Sequence, residues 1–490
     1  MNRRAFLRLS AAGAAAVAGL PVALAADSLA KSARLLRKLS GASLRRKADL
    51  LQELYENVAF NESGIMYSML WMDSNGVRRF APADFAGKIA LDASVGKLKL
   101  AGPWEYLEGE NSISVSGLYL AAQTFRYEVT RSRQALAQAG KAIRTQDLIY
   151  QMGEKAGKPG YMSKPYGFRP SVQTVGDQYL DACWGLWNYH RIASAEDRRR
   201  IETMFIGFAD YWRGIDYVLS YFGSHWDLKG ETGAYAAIYA MINACAYSFS
   251  KSPIHLREFE KWMAKATWTK TTALESLRAS ALQRIKETGK AEVVPYSAAF
   301  PLAKDLLKPG ECLCWETIIH SKFVAVAADL IVQSKVSDLS GQLAEILKRW
   351  WREWKYGVGE DWLPYYWFAV DLVNDTWRPL PSTKLLPKEQ WLFGDPFCSY
   401  LSQVRWNEPL ARFMVTSAIA APLCPSDRSQ MQALGRKLLQ SLDQAHLHWL
   451  YDPDGKQLLP EISYYGQCLS SEVPGSFLAA YWKGRRDKLW

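Results

Sequence analysis

Residues 177–190, "DQYLDACWGLWNYH", and residues 194–219, "SAEDRRRIETMFIGFADYWRGIDYVL", contain the alternation that decides the fold. The first segment is apolar on nearly all sides, which is typical of a helix buried within a protein. The second has an apolar stripe and a charged face, which is typical of a helix at the surface. A buried helix is therefore followed directly by a surface helix.

The same alternation recurs along most of the chain. Nearly apolar helices are predicted to begin near residues 114, 177, 231, 312, 398 and 464, and an amphipathic partner follows each of the first five. The amphipathic segment at 31–58 is expected to supply the sixth outer helix. The predicted helices are at 114–133, 142–155, 177–192, 196–222, 231–248, 256–287, 312–334, 337–356, 398–420, 427–450 and 466–483. Strand-like alternation is scarce, so the sequence predicts an all-α protein, an (α/α)6 toroid of alternating inner and outer helices.

In this alternation, in its aromatic richness, and in acids or amides at the starts of inner helices such as "GDQYLDACWGLW" (176–187), the chain resembles the six-hairpin glycosidase superfamily. That group includes glycoside hydrolases, unsaturated-uronyl hydrolases and the toroid domains of polysaccharide lyases. The resemblance covers roughly residues 110–485 and implies a carbohydrate-active toroid. No catalytic motif of one family aligns residue by residue. An α-solenoid scaffold is the alternative fold, but the uneven spacing of the inner helices does not favour a regular repeat.

The N-terminal segment has the features of an export signal. Arg3 and Arg4 stand ahead of Phe6 and Leu7, and an alanine-rich run leads to an A-x-A-like cleavage site at residues 23–25. This pattern predicts twin-arginine export and a periplasmic or secreted protein. The expected organisation is a signal at 1–25, an N-terminal helix and irregular segment at 26–110, and the toroid catalytic domain at 111–490.

The composition narrows the function classes. The chain is 49% hydrophobic and 22% charged, as expected of a globular protein. Its formal net charge is +11, and the charge is spread along the sequence rather than clustered. Without a basic stripe or a zinc-finger spacing, nucleic acid is not an expected partner. No P-loop, dinucleotide fingerprint or H-E-x-x-H motif occurs, so no cofactor and no metal is expected. No membrane contact is expected after signal cleavage, and the oligomeric state is not fixed.

The seven cysteines are an odd number for an exported protein. Cys183 and Cys245 lie in apolar helical patterns and are predicted to be buried free thiols. One or two disulfides are allowed among the others, with a connectivity that spacing does not determine. These are Cys312, Cys314, Cys398, Cys424 and Cys468.

The acids of the first buried helix are the candidate catalytic groups. Asp177, Asp181, Trp184 and Asn188 share one helical face, because steps of three and four residues stack side chains. We expect this face to line a cavity, since burial of unpaired acids would cost several kcal/mol each. Asp177 has a simpler interpretation as the N-cap of the helix, and the two roles are compatible.

Further candidates lie at the starts of other inner helices and in the adjoining loops. The predicted acid/base set is Asp177 with Asp181, Glu231, Glu316 or Asp361 as its partner. Aromatic, amide and basic side chains nearby are predicted to bind the substrate, because aromatic faces stack on sugar rings and polar groups bind the hydroxyls. They are Lys164, Tyr166, Arg169, Gln178, Trp184, His225, Trp226, His320, Trp362, Tyr464 and Gln467.

The sequence thus favours an exported glycoside hydrolase that acts on a poly- or oligosaccharide, including acidic ones, by carboxylate acid/base catalysis. A polysaccharide lyase is the first alternative, with Tyr166, His225 or His320 as the base and Arg169 neutralising a uronate. A glycan-binding toroid without activity is the second alternative.

Overall fold

The computed structural model describes residues 27–88, 94–95, 98–221, 224–227, 229, 233–292, 306–314, 317–380, 384–385, 400–401 and 403–490. Most of these residues are helical. The helices are α1 (27–36), α2 (Leu44–Val58), α3 (Pro103–Gly109), α4 (Ser112–Thr130), α5 (Arg133–Lys155), α6 (Gly176–His190), α7 (Ala195–Gly214), α8 (Gly233–Ser250), α9 (Pro253–Met263), α10 (Ala266–Thr269), α11 (Ala273–Thr288), α12 (Thr317–Ser334), α13 (Ser340–Trp351), α14 (Glu408–Leu423), α15 (Arg428–Ser441) and α16 (Glu472–Arg486).

Six of these helices form a closed inner ring. In order around the ring they are α4, α6, α8, α12, α14 and α16, each packed against the next, and α16 packs back against α4. Amphipathic helices cover the ring from outside: α5 lies on α4, α7 and α9 on α8, α13 on α12, α15 on α14 and α2 on α16. The predicted (α/α)6 toroid is confirmed, and the N-terminal helix α2 takes the sixth outer position.

The inner helices run parallel, with their N-terminal ends together. Asp181 of α6, Lys322 of α12 and Glu472 of α16 meet in one ion-pair cluster near those ends. At the opposite end, Glu128 of α4 pairs with Arg191 after α6. Because each outer helix returns the chain, every inner helix starts at the same end of the ring.

Small residues allow the inner helices to approach closely. A Cβ on Gly117 would lie 2.3 Å from the carbonyl oxygen of Asp181, and a Cβ on Gly185 would lie 2.3 Å from that of Gly117. The backbones of α4 and α6 therefore touch at a glycine pair. This contact fixes the position of α6 along the ring axis, and therefore also the positions of Asp177 and Asp181 in its first turns.

The strands are short and lie mainly at the edges of the toroid. They are β1 (Met69–Asp73), β2 (Gly76–Arg78), β3 (Ser94–Val95), β4 (Leu98–Lys99), β5 (Val218–Tyr221), β6 (Ser224–Asp227), β7 (Glu311–Cys314), β8 (Phe368–Asp371), β9 (Thr376–Pro379), β10 (Lys384–Leu385), β11 (Tyr400–Leu401), β12 (Arg405–Trp406), β13 (Leu450–Tyr451) and β14 (Cys468–Ser470). Every pairing between them is antiparallel.

The N-terminal segment is more regular than predicted. β1 pairs with β2 through the turn at residues 74–75 and with β14, in the register Met69 opposite Ser470. Because β14 directly precedes α16, this sheet ties the N-terminal segment to the start of an inner helix. The turn was visible in the sequence, but its pairing with a strand some 400 residues away was not.

Several predicted helices have different ends. The segment 256–287 is divided into α9, α10 and α11, and the break has a local cause: Thr272 and Glu275 form a capping box that starts α11. Residues 311–314 form β7, so α12 begins only at residue 317. α14 begins at Glu408, where Pro409 occupies a first-turn position that tolerates proline.

The cysteines are reduced throughout the described part of the chain. The six described cysteines are all buried free thiols: Cys183, Cys245, Cys312, Cys314, Cys424 and Cys468. This confirms the prediction for Cys183 and Cys245. Cys312 and Cys314 lie close, with 3.5 Å between their Sγ atoms, but are not bonded. Cys398 lies outside the described residues.

Candidate active site

Asp177 lies in the first turn of α6, at the end of the ring where the inner helices begin. It is not the N-cap; that position is held by Val175, whose side chain caps nothing. Asp177 is partly buried, and within the described part of the chain its Oδ1 has no hydrogen-bond partner. Burial raises the pKa of Asp177 above its usual range, although Lys164 and Arg412 oppose the shift. The carboxyl therefore favours its protonated form, and its unpartnered Oδ1 is itself shielded from solvent.

A buried ion-pair cluster lies next to Asp177. Lys322 Nζ is 2.7 Å from Asp181 Oδ2 and 3.2 Å from Glu472 Oε1. Arg412 donates to the same Glu472 through Nε at 2.6 Å and Nη2 at 2.9 Å. Ser114 Oγ donates to Asp181. Five inner helices thus contribute side chains to one cluster.

The acids of this cluster have opposite protonation preferences. Burial alone would raise the pKa of Glu472, but Arg412 and Lys322 outweigh it and hold that pKa at about 2. Burial, together with repulsion from Glu472, raises the pKa of Glu408 to about 7, against the opposing effect of Arg412. Burial also raises the pKa of Asp181, although Lys322 opposes it. A permanently ionised acid and acids that can hold a proton are therefore neighbours.

The face of α6 that was predicted to line a cavity points toward the ring axis, but below Asp177 it is packed. Asp181 is 2% exposed, and Trp184 and Asn188 are fully buried. Trp184 Nε1 donates to Asp329 Oδ2 of α12 at 2.9 Å, and Asn188 Nδ2 donates to the carbonyl oxygen of Trp184. Asp177 is the least buried member of this face, because side chains from the other inner helices fill the axis beneath it.

Three predicted substrate-binding residues, Lys164, Tyr166 and Gln178, are used inside the protein. Lys164 Nζ and the hydroxyl of Tyr166 both donate to the buried carboxylate of Glu110. Tyr221 of β5 also donates to Glu110, at 2.9 Å. Gln178 donates to the carbonyl oxygen of Glu110 at 2.9 Å. Lys164 and Tyr166 are nearly inaccessible, so this cluster supports the loop beside Asp177 and offers no open group to a sugar.

The basic and acidic candidates at the rim of the ring are engaged in surface ion pairs. Arg169 pairs with Glu105 at 2.6 Å, and its side chain is 45% exposed. Asp361 is exposed and pairs with Arg405 at 3.3 Å. The structure therefore does not bring Asp361 into the cluster around Asp177.

His320 lies in the first turn of α12, close to Arg412. It is 4% exposed and packs against Phe323 and Trp350. Burial and the nearby Arg412 charge lower its pKa to about 4. The imidazole is therefore neutral at ordinary pH and can accept a proton.

The remaining candidates are divided among core, surface and undescribed positions. Trp362 stacks on Trp354 beneath Lys437 of α15, on the outer-helix side of the ring. Tyr464 is buried against Phe85, and Gln467 is partly buried. His225 and Trp226 belong to β6, for which only the backbone is described. Glu231 and Glu316 lie outside the described residues.

Aromatic residues serve the core more than the site. Seven tryptophans are among the largest fully buried side chains: Trp184, Trp212, Trp262, Trp268, Trp350, Trp367 and Trp482. Near Asp177 the clearest aromatic surface is the partly buried Tyr235, whose ring lies 3.1 Å from where a Cβ of Gly176 would stand. Most of the aromatic side chains that the structure describes therefore serve the core, and sugar stacking stays a prediction.

Sequence reasoning missed Glu408, Arg412, Lys322 and Glu472. The spacing that singled out Asp177 and Asp181 also fits Glu408 and Arg412, which stand four residues apart in a nearly apolar helix. Among the described residues no three His, Cys, Asp or Glu side chains are placed to hold a metal ion.

No protein-family model matches the chain, and no curated protein matches its sequence. Solved structures with a similar fold include an unsaturated glucuronyl hydrolase specific for heparin (TM-score 0.45, 9% identity, 94% of this chain and 98% of that chain). A cellobiose 2-epimerase from Bacillus thermoamylovorans B4167 has a TM-score of 0.45 and 10% identity, over 89% of this chain and 98% of its own. A D-mannose isomerase has a TM-score of 0.44 and 9% identity, over 89% and 96%. At 9–10% identity and with TM-scores below 0.5, these likenesses assign no activity to this chain.

Proposed function

We propose that the chain is an exported carbohydrate-active enzyme, and specifically a glycoside hydrolase in which Asp177 protonates the leaving oxygen. One observation carries the proposal: Asp177 stands at the start of the inner ring with a raised pKa and a carboxyl oxygen that bonds to no described residue. Export rests on the twin-arginine pattern at residues 3–4.

The reaction needs a second carboxylate to activate water or to attack the sugar. Asp181 and Glu472 are poor choices, because their charges are neutralised by Lys322 and Arg412 in the packed interior. Glu231 and Glu316 are the better candidates, since Glu231 stands two residues before the first residue of α8 and Glu316 directly before that of α12. We assign the second role to one of these two acids.

The substrate is proposed to be a poly- or oligosaccharide. The ring of Tyr235 gives a surface on which a sugar ring can stack. Arg412 uses Nε and Nη2 for Glu472, while its Nη1 donates to no residue that the structure describes. That nitrogen suits a sugar hydroxyl or carboxylate, so acidic sugars are included in the proposed class.

A polysaccharide lyase is the second candidate, and His320 favours it. A lyase abstracts the proton beside a uronate carboxyl and needs a neutral base near a cation that stabilises the carboxylate. His320 has a lowered pKa and lies near Arg412. In a lyase the base would therefore be His320 and not Tyr166, because Tyr166 is buried against Glu110.

A panel of polysaccharides and oligosaccharides incubated with the purified chain tests the proposal. A hydrolase releases reducing ends without ultraviolet absorbance, whereas a lyase also creates an absorbing C=C bond. Asp177→Asn is expected to lower kcat/KM by about a hundredfold or more. The matched control is Asp454→Asn, because Asp454 is exposed in the turn that follows β13.

The outcomes separate the candidate functions. Reducing ends without absorbance, lost in Asp177→Asn and kept in Asp454→Asn, support the hydrolase. Absorbance lost in His320→Gln but retained in Asp177→Asn supports the lyase. Binding without turnover on every glycan would support the non-enzymatic toroid and contradict the proposal.

A further inference from the structure

The end of the ring at which the inner helices terminate, opposite Asp177, is strongly basic. We call it the basic face, and it consists of the segments 37–46, 131–134, 191–199, 251–254, 335–340, 424–428 and 485–490. These segments hold fifteen arginines and lysines against five acids, and Glu128, which pairs with Arg191 at this end, is a sixth acid. The net charge is +9 in a chain whose total is +11. The charge that is spread along the sequence is therefore gathered by folding at one end.

The segment 37–46 lies on the basic face because of the direction in which α2 runs. The Arg45 guanidinium lies 5.4 Å from the ring centroid of Trp482, near the C-terminal end of α16. The hydroxyl of Tyr55, near the other end of α2, donates to the carbonyl oxygen of Ser471 at the start of α16. Since α2 runs antiparallel to α16, the bases at 37–46 join those that follow the inner helices.

A simple electrostatic explanation accounts for some of these bases. Four inner helices are followed by a base with positive φ, where glycine is usual: Arg131, Lys251, Lys335 and Lys488, with φ between 53° and 57°. A cation near a helix C-terminus is favoured by the helix dipole. This effect alone would explain one base at each inner helix end.

The dipole does not explain the starts of α2, α5 and α15, which lie on the same face. α7 also begins there, but with Glu196 and Asp197 in its first turn, as the dipole favours. At a helix N-terminus the dipole favours acids and disfavours bases. α2 nevertheless begins with Arg45, Arg46 and Lys47 and has no acid in its first turn. α5 and α15 begin with Arg133 and Arg428 and also lack a first-turn acid. Bases stand at both kinds of helix end, so their common property is the face they occupy.

Exposed apolar side chains stand among these bases. Leu136, in the first turn of α5, is 36% exposed, and Ile254, in the first turn of α9, is 40% exposed. Apolar groups beside several bases are the features by which proteins bind the surface of a membrane of acidic lipids. Because the face is assembled from connections all around the ring, it suits a broad planar partner better than a single extended polymer.

We infer that the basic face docks on the surface of a bilayer that contains anionic phospholipid. Asp177 lies at the opposite end of the ring, so docking leaves that end open to solvent. The inference differs from the expectation of no membrane contact, which stays a prediction. It needs no spanning segment, and no helix among the described residues is long and apolar enough to span a bilayer. It does not depend on the proposed activity.

Co-sedimentation with lipid vesicles tests the inference. The purified chain is expected to bind vesicles of phosphatidylcholine with about one-third phosphatidylglycerol and not vesicles of phosphatidylcholine alone, and 0.5 M NaCl should weaken the binding. Reversing three exposed bases of the face should weaken it by about a hundredfold. The variant is Arg37→Glu/Lys38→Glu/Arg46→Glu. Its control reverses three exposed bases elsewhere, as Lys286→Glu/Lys290→Glu/Lys456→Glu.

Residues 1–26 are identical in all these proteins, so a difference between variants reports on the face. If the first variant does not fold, Arg131→Glu/Arg133→Glu/Arg198→Glu probes another part of it. Binding that is lost in the face variants and kept in the control supports docking. The inference is overturned if the wild-type chain binds the two vesicle types equally. It is also overturned if the control variant loses as much binding as the face variants. It is also overturned if the chain binds soluble dextran sulfate but not anionic vesicles.

Discussion

Arg412 of α14 binds Glu472 of α16 through two hydrogen bonds, at 2.6 Å and 2.9 Å, and Glu472 is 1% exposed. Because Lys322 also depends on Glu472, removing this carboxylate would leave two buried cations short of a partner. We expect Glu472→Gln to destabilise the chain by about 3 kcal/mol, measured as a lower denaturant midpoint.

Glu408→Gln is the matched control for that variant. Glu408 lies in the same cluster and is equally buried, but its pKa is raised to about 7, so at pH 5 the carboxyl is largely protonated and a neutral amide changes its charge little. We expect a loss well below that of Glu472→Gln. Equal losses for the two variants would show that Glu472 is not the anion on which the cluster depends.

Glu353 gives a pH dependence to folding. Burial raises its pKa from 4.5 to about 8. The folded chain therefore keeps a proton that the unfolded chain releases above about pH 4.5, and the stability that this proton contributes is lost as the pH rises toward 8. Glu353→Gln should match the wild type near pH 5 and exceed its stability by about 3 kcal/mol at pH 9.

Thermal unfolding across that pH range checks the prediction. The exposed Glu360→Gln should leave the wild-type pH profile unchanged. If Glu353→Gln is less stable than the wild type at pH 9, the buried carboxyl is stabilised in its ionised form and the expected sign is wrong.

The glycine contact between α4 and α6 is expected to be intolerant of a methyl group. In Gly117→Ala the new Cβ would stand 2.3 Å from the carbonyl oxygen of Asp181, so the helices must separate. We expect a loss of several kcal/mol, typical of overpacking between backbones. Gly140→Ala is the control: it is also helical, with no atom within 4 Å of its Cβ, and should be stabilised by about 0.5–1 kcal/mol. If Gly117→Ala leaves the free energy of unfolding unchanged, the backbones of α4 and α6 do not approach each other so closely.

The fold was predictable because the distribution of apolar residues within each helix shows how much of that helix is buried. A segment such as α6 is apolar on nearly all sides whatever its neighbours are, whereas α7 carries a charged face. The segments that sequence misassigned depend on distant partners. β7 is a strand because it pairs with β8, and a short apolar run does not reveal that pairing.

The site was less predictable for the same reason. The position of Asp177 follows from its place in the first turn of an inner helix. Whether a polar side chain can bind a ligand depends on its contacts with residues far away in the sequence. The candidates Lys164 and Tyr166, for example, both donate hydrogen bonds to Glu110. A buried acid and its cation are also indistinguishable from an open acid until the chain is folded, as Asp181 and Lys322 show.

Asp177 is proposed to supply the proton to the leaving group. The decisive experiment compares Asp177→Asn on the natural saccharide and on an aryl glycoside of the same sugar with a dinitrophenolate leaving group, which needs no proton. If Asp177 is the proton donor, kcat/KM falls by about a hundredfold or more on the saccharide and by less than about tenfold on the aryl glycoside. An equal loss on both substrates would contradict it.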